Sequence, residues 1–128
     1  MSTTIYEPSK YVLQAVNAKL KSLGYTIIGN TFPRFEVYSF DVTPSGEKVN
    51  TMWDCTFIIE ALSSSTSPGE SLDMIENIKQ HFSESLIISH FKCDIWIWEI
   101  CSSFAEETET QNFIWRQSQR VRLKLTQI

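Results

Sequence analysis

Residues 112–126 alternate in character for most of their length, and that pattern leaves little choice of structure. Phe113, Trp115, Val121, Leu123 and Leu125 fall on one side with Gln117 and Gln119. Ile114, Arg116, Ser118, Arg120, Arg122 and Lys124 fall on the other. Successive side chains of an extended chain point to opposite faces, so a period of two predicts a long β-strand. Upstream, residues 88–104 hold the dense apolar run Cys93-Asp94-Ile95-Trp96-Ile97-Trp98-Glu99-Ile100, a second long strand. The acidic stretch 105–111, with Glu106, Glu107 and Glu109, lies between them and predicts the tip of a C-terminal hairpin.

The rest of the chain supplies two helices and further strands. After Tyr6-Glu7-Pro8-Ser9, Ser9 is a candidate cap, and Tyr11, Val12, Ala15, Val16, Leu20 and Leu23 recur at helical spacing. Gly24 is placed to end that helix in a left-handed conformation. Tyr25 to Ile28 reads as a short strand, and Phe35, Val37 and Phe40 to Val42 as another, closed by Thr43-Pro44-Ser45-Gly46. Trp53, Cys55, Phe57, Ile59 and Ala61 alternate with Asp54, Thr56, Ile58 and Glu60 in a long strand. Ser63 to Gly69 reads as a loop. Leu72, Ile75, Ile78, Lys79 and Phe82 then mark a second helix with acidic residues in its first turn. The expected fold is α+β: two helices packed on one mainly antiparallel sheet with a long C-terminal β-hairpin, in one domain covering 1–128. Trp53, Phe57, Ile59, Leu72, Ile75, Phe82, Ile95 and Ile97 are the expected core.

Composition narrows the function. With 8 Phe, 4 Tyr and 4 Trp the chain has the apolar mass for a core and is not a disordered segment. Its 11 basic and 15 acidic residues leave a net charge of -4, which excludes whole-domain attraction to nucleic acid. The start Met1-Ser2-Thr3-Thr4-Ile5 lacks a basic region followed by an apolar run, and no apolar stretch approaches the roughly 18 residues of a membrane span. With three cysteines, an odd number, this predicts a reduced, intracellular protein and no membrane partner.

Catalytic and metal motifs are missing from the sequence. Cys55, Cys93 and Cys101 have no CxxC spacing, and His81 and His90 sit in no HxxxH or HExxH frame. No GxSxG, P-loop or GxGxxG occurs. No cofactor, metal or enzymatic activity is expected. Two features point to binding instead. Trp96 and Trp98 share one strand face and Ile95 and Ile97 the other. Such a strand is either central to a packed sheet or half core and half intersubunit surface. The stripe Arg116, Arg120, Arg122 and Lys124 is either a solvated sheet face or a docking surface for an acidic partner or for nucleic-acid phosphates, with the acidic tip of a neighbouring copy as a complementary charge.

The order of these elements resembles the tail terminator, or tail-completion, proteins of long-tailed bacteriophages and the related head-to-tail connector proteins. The resemblance runs from about Tyr11 to Thr126. It rests on the first helix from Val12 to Leu23, on Trp53-Asp54-Cys55-Thr56-Phe57-Ile58-Ile59 through Gly69 to Phe82, and on the Arg-rich strand Trp115-Arg116-Gln117-Ser118-Gln119-Arg120-Val121-Arg122-Leu123. The family usually carries Asp, Gly and basic residues at a tip where this chain has Glu106-Glu107-Thr108-Glu109. The resemblance implies a non-enzymatic virion protein, assembled in a host cytoplasm and located in the tail or neck. It implies a homo-oligomeric ring, commonly of six subunits, that ends tail-tube polymerisation and joins tail to head. Its partners would be the tail tube protein and a head-completion or connector protein, with DNA passing through the lumen without sequence recognition. Arg116, Arg120, Arg122, Lys124, Glu106, Glu107, Glu109, Trp96 and Trp98 are the candidate interface residues. The alternative is a small intracellular ligand- or protein-binding α+β module.

Overall fold

The computed structural model describes residues 5–27, 31–44, 52–65, 67–107 and 113–128. The elements are α1 (Pro8–Ser22), β1 (Arg34–Pro44), β2 (Met52–Ser65), α2 (Gly69–Ser85), β3 (Phe91–Glu107) and β4 (Phe113–Gln127). The strands form one antiparallel sheet in the order β1-β2-β4-β3. The α+β class, the two helices on one sheet and the closing hairpin are thus as the sequence predicts.

Local chemistry fixes the helix ends. Glu7, not Ser9, caps α1: its carboxylate accepts from the Ser9 N–H at 3.1 Å and from the Ser9 hydroxyl at 2.6 Å, with Pro8 in the first turn. At the other end Gly24 adopts φ 89°. Its N–H donates to the Lys21 carbonyl at 3.0 Å and the Tyr25 N–H donates to the Leu20 carbonyl at 3.0 Å. That pair of bonds satisfies two carbonyls the helix would otherwise leave open. The short strand expected at 25–28 reduces, among the described residues, to a single parallel bridge from Thr26 to Arg34.

The core lies between the helices and one face of the sheet. Val12, Val16 and Leu20 of α1 and Met74, Ile75, Ile78 and Phe82 of α2 meet Phe35, Cys55, Phe57, Ile59, Val121, Leu123 and Leu125. Helix α1 packs over β1 and β2, and α2 over β2 and β4. Strand β3 is the edge of the sheet beyond α2.

Three expectations are corrected. Ile95 and Ile97 are 45% and 44% exposed, because Trp96 and Trp98 register with Leu123 and Val121 and take the inward positions. Leu72 is 47% exposed. Ser71 takes the inward position in its place, with Met74 also buried, and satisfies its hydroxyl on the Pro68 carbonyl at 2.9 Å. The segment beginning at Ser63 is strand as far as Ser65, since Ser64 and Ser65 pair with Ile114 and Phe113. Ser63 is buried and donates to the Glu70 carboxylate.

These placements separate two substitutions. Phe57→Ala removes a fully buried ring and should cost about 3–5 kcal/mol in urea unfolding, whereas Leu72→Ala, half in water, should cost about 1 kcal/mol or less.

Candidate functional site

The second face of the sheet carries no helix. Its rows follow from the register: Arg34, Leu62, Arg116 and Phe104; Glu36, Glu60, Ser118 and Ser102; Asp41, Thr56, Arg122 and Ile97; Thr43, Asp54, Lys124 and Ile95. This open face holds the basic stripe and Glu106, while Trp96 and Trp98 lie on the opposite, helix-bearing face. The predicted interface residues therefore fall into two groups separated by the thickness of the sheet. Glu109 and the side chain of Glu107 lie outside the described residues.

The arginines of the stripe are paired within their own chain. Arg116 donates to Glu60 at 2.8 Å and reaches Glu106 at 3.5 Å. Arg122 approaches Glu99 at 2.6 Å and Arg120 approaches the same carboxylate at 3.8 Å. Lys124 stands in register between Asp54 and Ile95. Reversal of Arg120 and Arg122 would therefore crowd three carboxylates across β3 and β4 and strike the hairpin itself.

Glu60 is the centre of this face. It is 2% exposed, and the Tyr38 hydroxyl donates to its other oxygen at 3.1 Å. Burial and the adjacent Glu60 charge hold the Tyr38 phenol above its ordinary pKa. Burial works against the Arg116 charge, but the hydrogen bond and charge of Glu60 outweigh it and raise the guanidinium's pKa. Sequence reasoning found Arg116 but missed Glu60, Glu99 and Tyr38; the only available signal was that each falls on the outward parity of its strand.

Around Arg120 the face is dished. Asp41, Thr43, Asp54, Thr56, Arg120 and Arg122 bound a shallow depression of about 280 Å³. A neighbouring hollow of about 180 Å³ lies among Ile58, Ser102, Ser118 and Arg120. Next to them Ile95, Ile97 and Phe104, the last 50% exposed, bring apolar surface to the β3 edge. The arrangement joins paired charges to open apolar side chains, which suits contact with a broad surface.

The cysteines and histidines do not converge. Burial pushes the Cys55 thiol up to about 12, so it is protonated near neutrality and lacks the thiolate that a nucleophile or metal ligand needs. Cys93 is half-buried and Cys101 exposed. His90 stacks on Tyr6 with ring centres 3.9 Å apart. His81 bonds the Asn77 carbonyl oxygen within its own helix at 2.8 Å. Among the described residues no three His, Cys, Asp or Glu side chains group as a metal site. No helix there is long and apolar enough to cross a membrane.

Two measurements check this electrostatic picture. Arg116→Met leaves Glu60 buried without its counter-charge and should cost about 2–3 kcal/mol, less than a fully buried pair because the guanidinium is partly in water. Adding Glu60→Gln should recover part of that loss in a double-mutant cycle. For Cys55, the folded chain holds its proton more tightly than the unfolded chain. Stability from this group is complete below the ordinary thiol value of 9.0 and drains away as pH rises towards about 12. Cys55→Ala should flatten the alkaline limb of a stability–pH profile.

Comparison with protein-family models and with curated proteins gives no match for this chain.

Proposed function

We propose that this chain is a non-enzymatic protein-binding module that assembles with further copies of itself. One observation carries the reading: β3, apolar on both faces, is an edge strand. An edge strand offers unpaired backbone groups, and natural sheets usually blunt such edges with charge, proline, a cover or bulges, of which β3 has two, after Cys93 and after Trp98. Here Ile95, Ile97 and Phe104 stand on one side of the edge and the half-buried Trp96 and Trp98 on the other. A strand of that composition at the margin of a sheet fits an intersubunit position better than a solvated one.

The finer form of the proposal is the ring of a phage tail terminator, at the head-proximal end of the tail. The helix–strand–strand–helix–strand–strand order supports it, as does the resemblance in the first helix and the Arg-rich last strand. In that form the tail tube and a head-completion protein are the partners, and DNA crosses the lumen without being read. The arginines of the open face belong to the subunit's own structure in this account, and the β3 side makes the contact.

Light scattering after size-exclusion chromatography tests the proposal. The full chain should run above its 14.8 kDa monomer mass, increasingly so with concentration. Ile95→Lys with Ile97→Lys, both already exposed, should lower that mass towards the monomer while leaving the thermal midpoint within a few degrees. A wild-type mass of one subunit at every concentration would refute self-assembly and leave a module that binds a different partner.

A further inference from the structure

We propose that the flank of α2 beside β3 is a docking site for α1 of a second copy of this chain, a contact that rests on the self-assembly reading above. The two helices present opposite charge. Helix α1 contains Lys10, Lys19 and Lys21 and no acidic residue. Lys10, Gln14, Asn17 and Lys21 recur at i, i+4, i+7 and i+11, a polar stripe turned away from buried Val12, Val16 and Leu20. Helix α2 exposes Glu70, Asp73 and Glu76.

The acidic flank also borders an opening in the helix layer. Helix α2 lies over β2 and β4 and reaches β3 at Trp96 and Trp98, and among the described residues β3 is left exposed on the helix side from Cys101 to Ala105. Cys101, Ser103 and Ala105, which point to the helix side, are all exposed and small. Leu72, Glu76 and Lys79 share one stripe of α2, and Lys79 sits 5.8 Å from the Trp98 ring, so this stripe faces β3. The shelf is thus floored by small side chains and walled by half-exposed Leu72 and the Glu76 carboxylate, with Lys79 held over Trp98 at its far end. A helix with a polar, lysine-bearing face can lie along it, burying Leu72 while its lysines meet Asp73 and Glu76.

Position in the fold puts the two surfaces at different margins of the same face. Helix α1 lies over β1, at one margin of the sheet, and the shelf lies at β3, the other margin. Two such surfaces on one face close as a ring or extend as a filament when the contact is made once per junction, and pair twice over when two copies stack face to face about a two-fold axis.

Charge exchange on the full-length chain tests the contact, read as mass by sedimentation or light scattering. Lys10→Glu with Lys21→Glu, and separately Asp73→Lys with Glu76→Lys, should each weaken self-association by about tenfold or more, since like charges then oppose. All four positions are exposed or at the helix surface, and circular dichroism melts verify that each variant folds. The milder pair Lys21→Gln and Glu76→Gln serves if a reversal does not. Mixing the two reversed variants restores opposite charge at every junction and should restore assembly. Raised salt should weaken the wild-type assembly. Normal association by both variants, or a mixture that stays monomeric, would overturn the contact while leaving self-assembly intact. A wild-type chain that never associates would overturn the self-assembly reading first, and this contact with it.

Discussion

Fourteen consecutive residue pairs join β2 to β4, from Met52 opposite Thr126 to Ser65 opposite Phe113, without a shift of register. The ladders on either side are both interrupted, β1–β2 between Tyr38 and Asp41 and β3–β4 after Cys93 and after Trp98. The central pair therefore sets the parity for the sheet. It puts Cys55, Phe57 and Ile59 beside Leu123, Val121 and Gln119 on the helix side, and Thr56, Ile58 and Glu60 beside Arg122, Arg120 and Ser118 on the open side. A slip of one residue would exchange those sets and drive arginines into the core. The bulges let the outer strands bend without disturbing that assignment.

Parity also explains why a buried acid sits on an unroofed face. Glu60 projects to the open side, yet Arg116 of β4 and Tyr38 of β1 close over it from both neighbouring strands. The resulting cross-strand bonds tie three of the four strands, and Glu99 with Arg120 and Arg122 ties in the fourth. Three members of the basic stripe, Arg116, Arg120 and Arg122, are cross-strand links to carboxylates of their own chain.

Much of the fold was legible because it depends on local period. The alternation of β4 placed every one of its residues on the right face, including the buried glutamines: Gln117 is held by a 2.8 Å bond to Ser103, and Gln119 donates to the Arg120 carbonyl at 3.1 Å. Gly24 announced the end of α1 through a backbone angle that glycine adopts without strain. What failed was information carried by neighbours. Ile95-Trp96-Ile97-Trp98 is apolar at every position, so period could not say which pair turns inward; the β4 register decides that. Ser71, not Leu72, lies on the face shared by buried Ile75, Ile78 and Phe82, and its hydroxyl is satisfied at the start of α2. The pairing of Arg116 with Glu60, 56 positions apart in the chain, had no local signal at all.

The distribution of charge then separates holding from meeting. On the open face Arg116, Arg120 and Arg122 pair at short range with Glu60, Glu106 and Glu99, and these links contribute rigidity. On the helix layer the charge is unevenly divided, with three lysines and no acid on α1 and mainly carboxylates beside Lys79 on α2, and no ion pair between the two helices among those described. Charge at opposite margins acts beyond contact distance, within a screening length of about 8–10 Å at ordinary salt, and under the proposed self-assembly would orient approaching copies. Apolar groups at the β3 side act only once water is expelled. A subunit built this way would be aligned by its helices before it is held by its edge strand, and the order of those events favours one register of contact over the many that a uniformly apolar edge would accept.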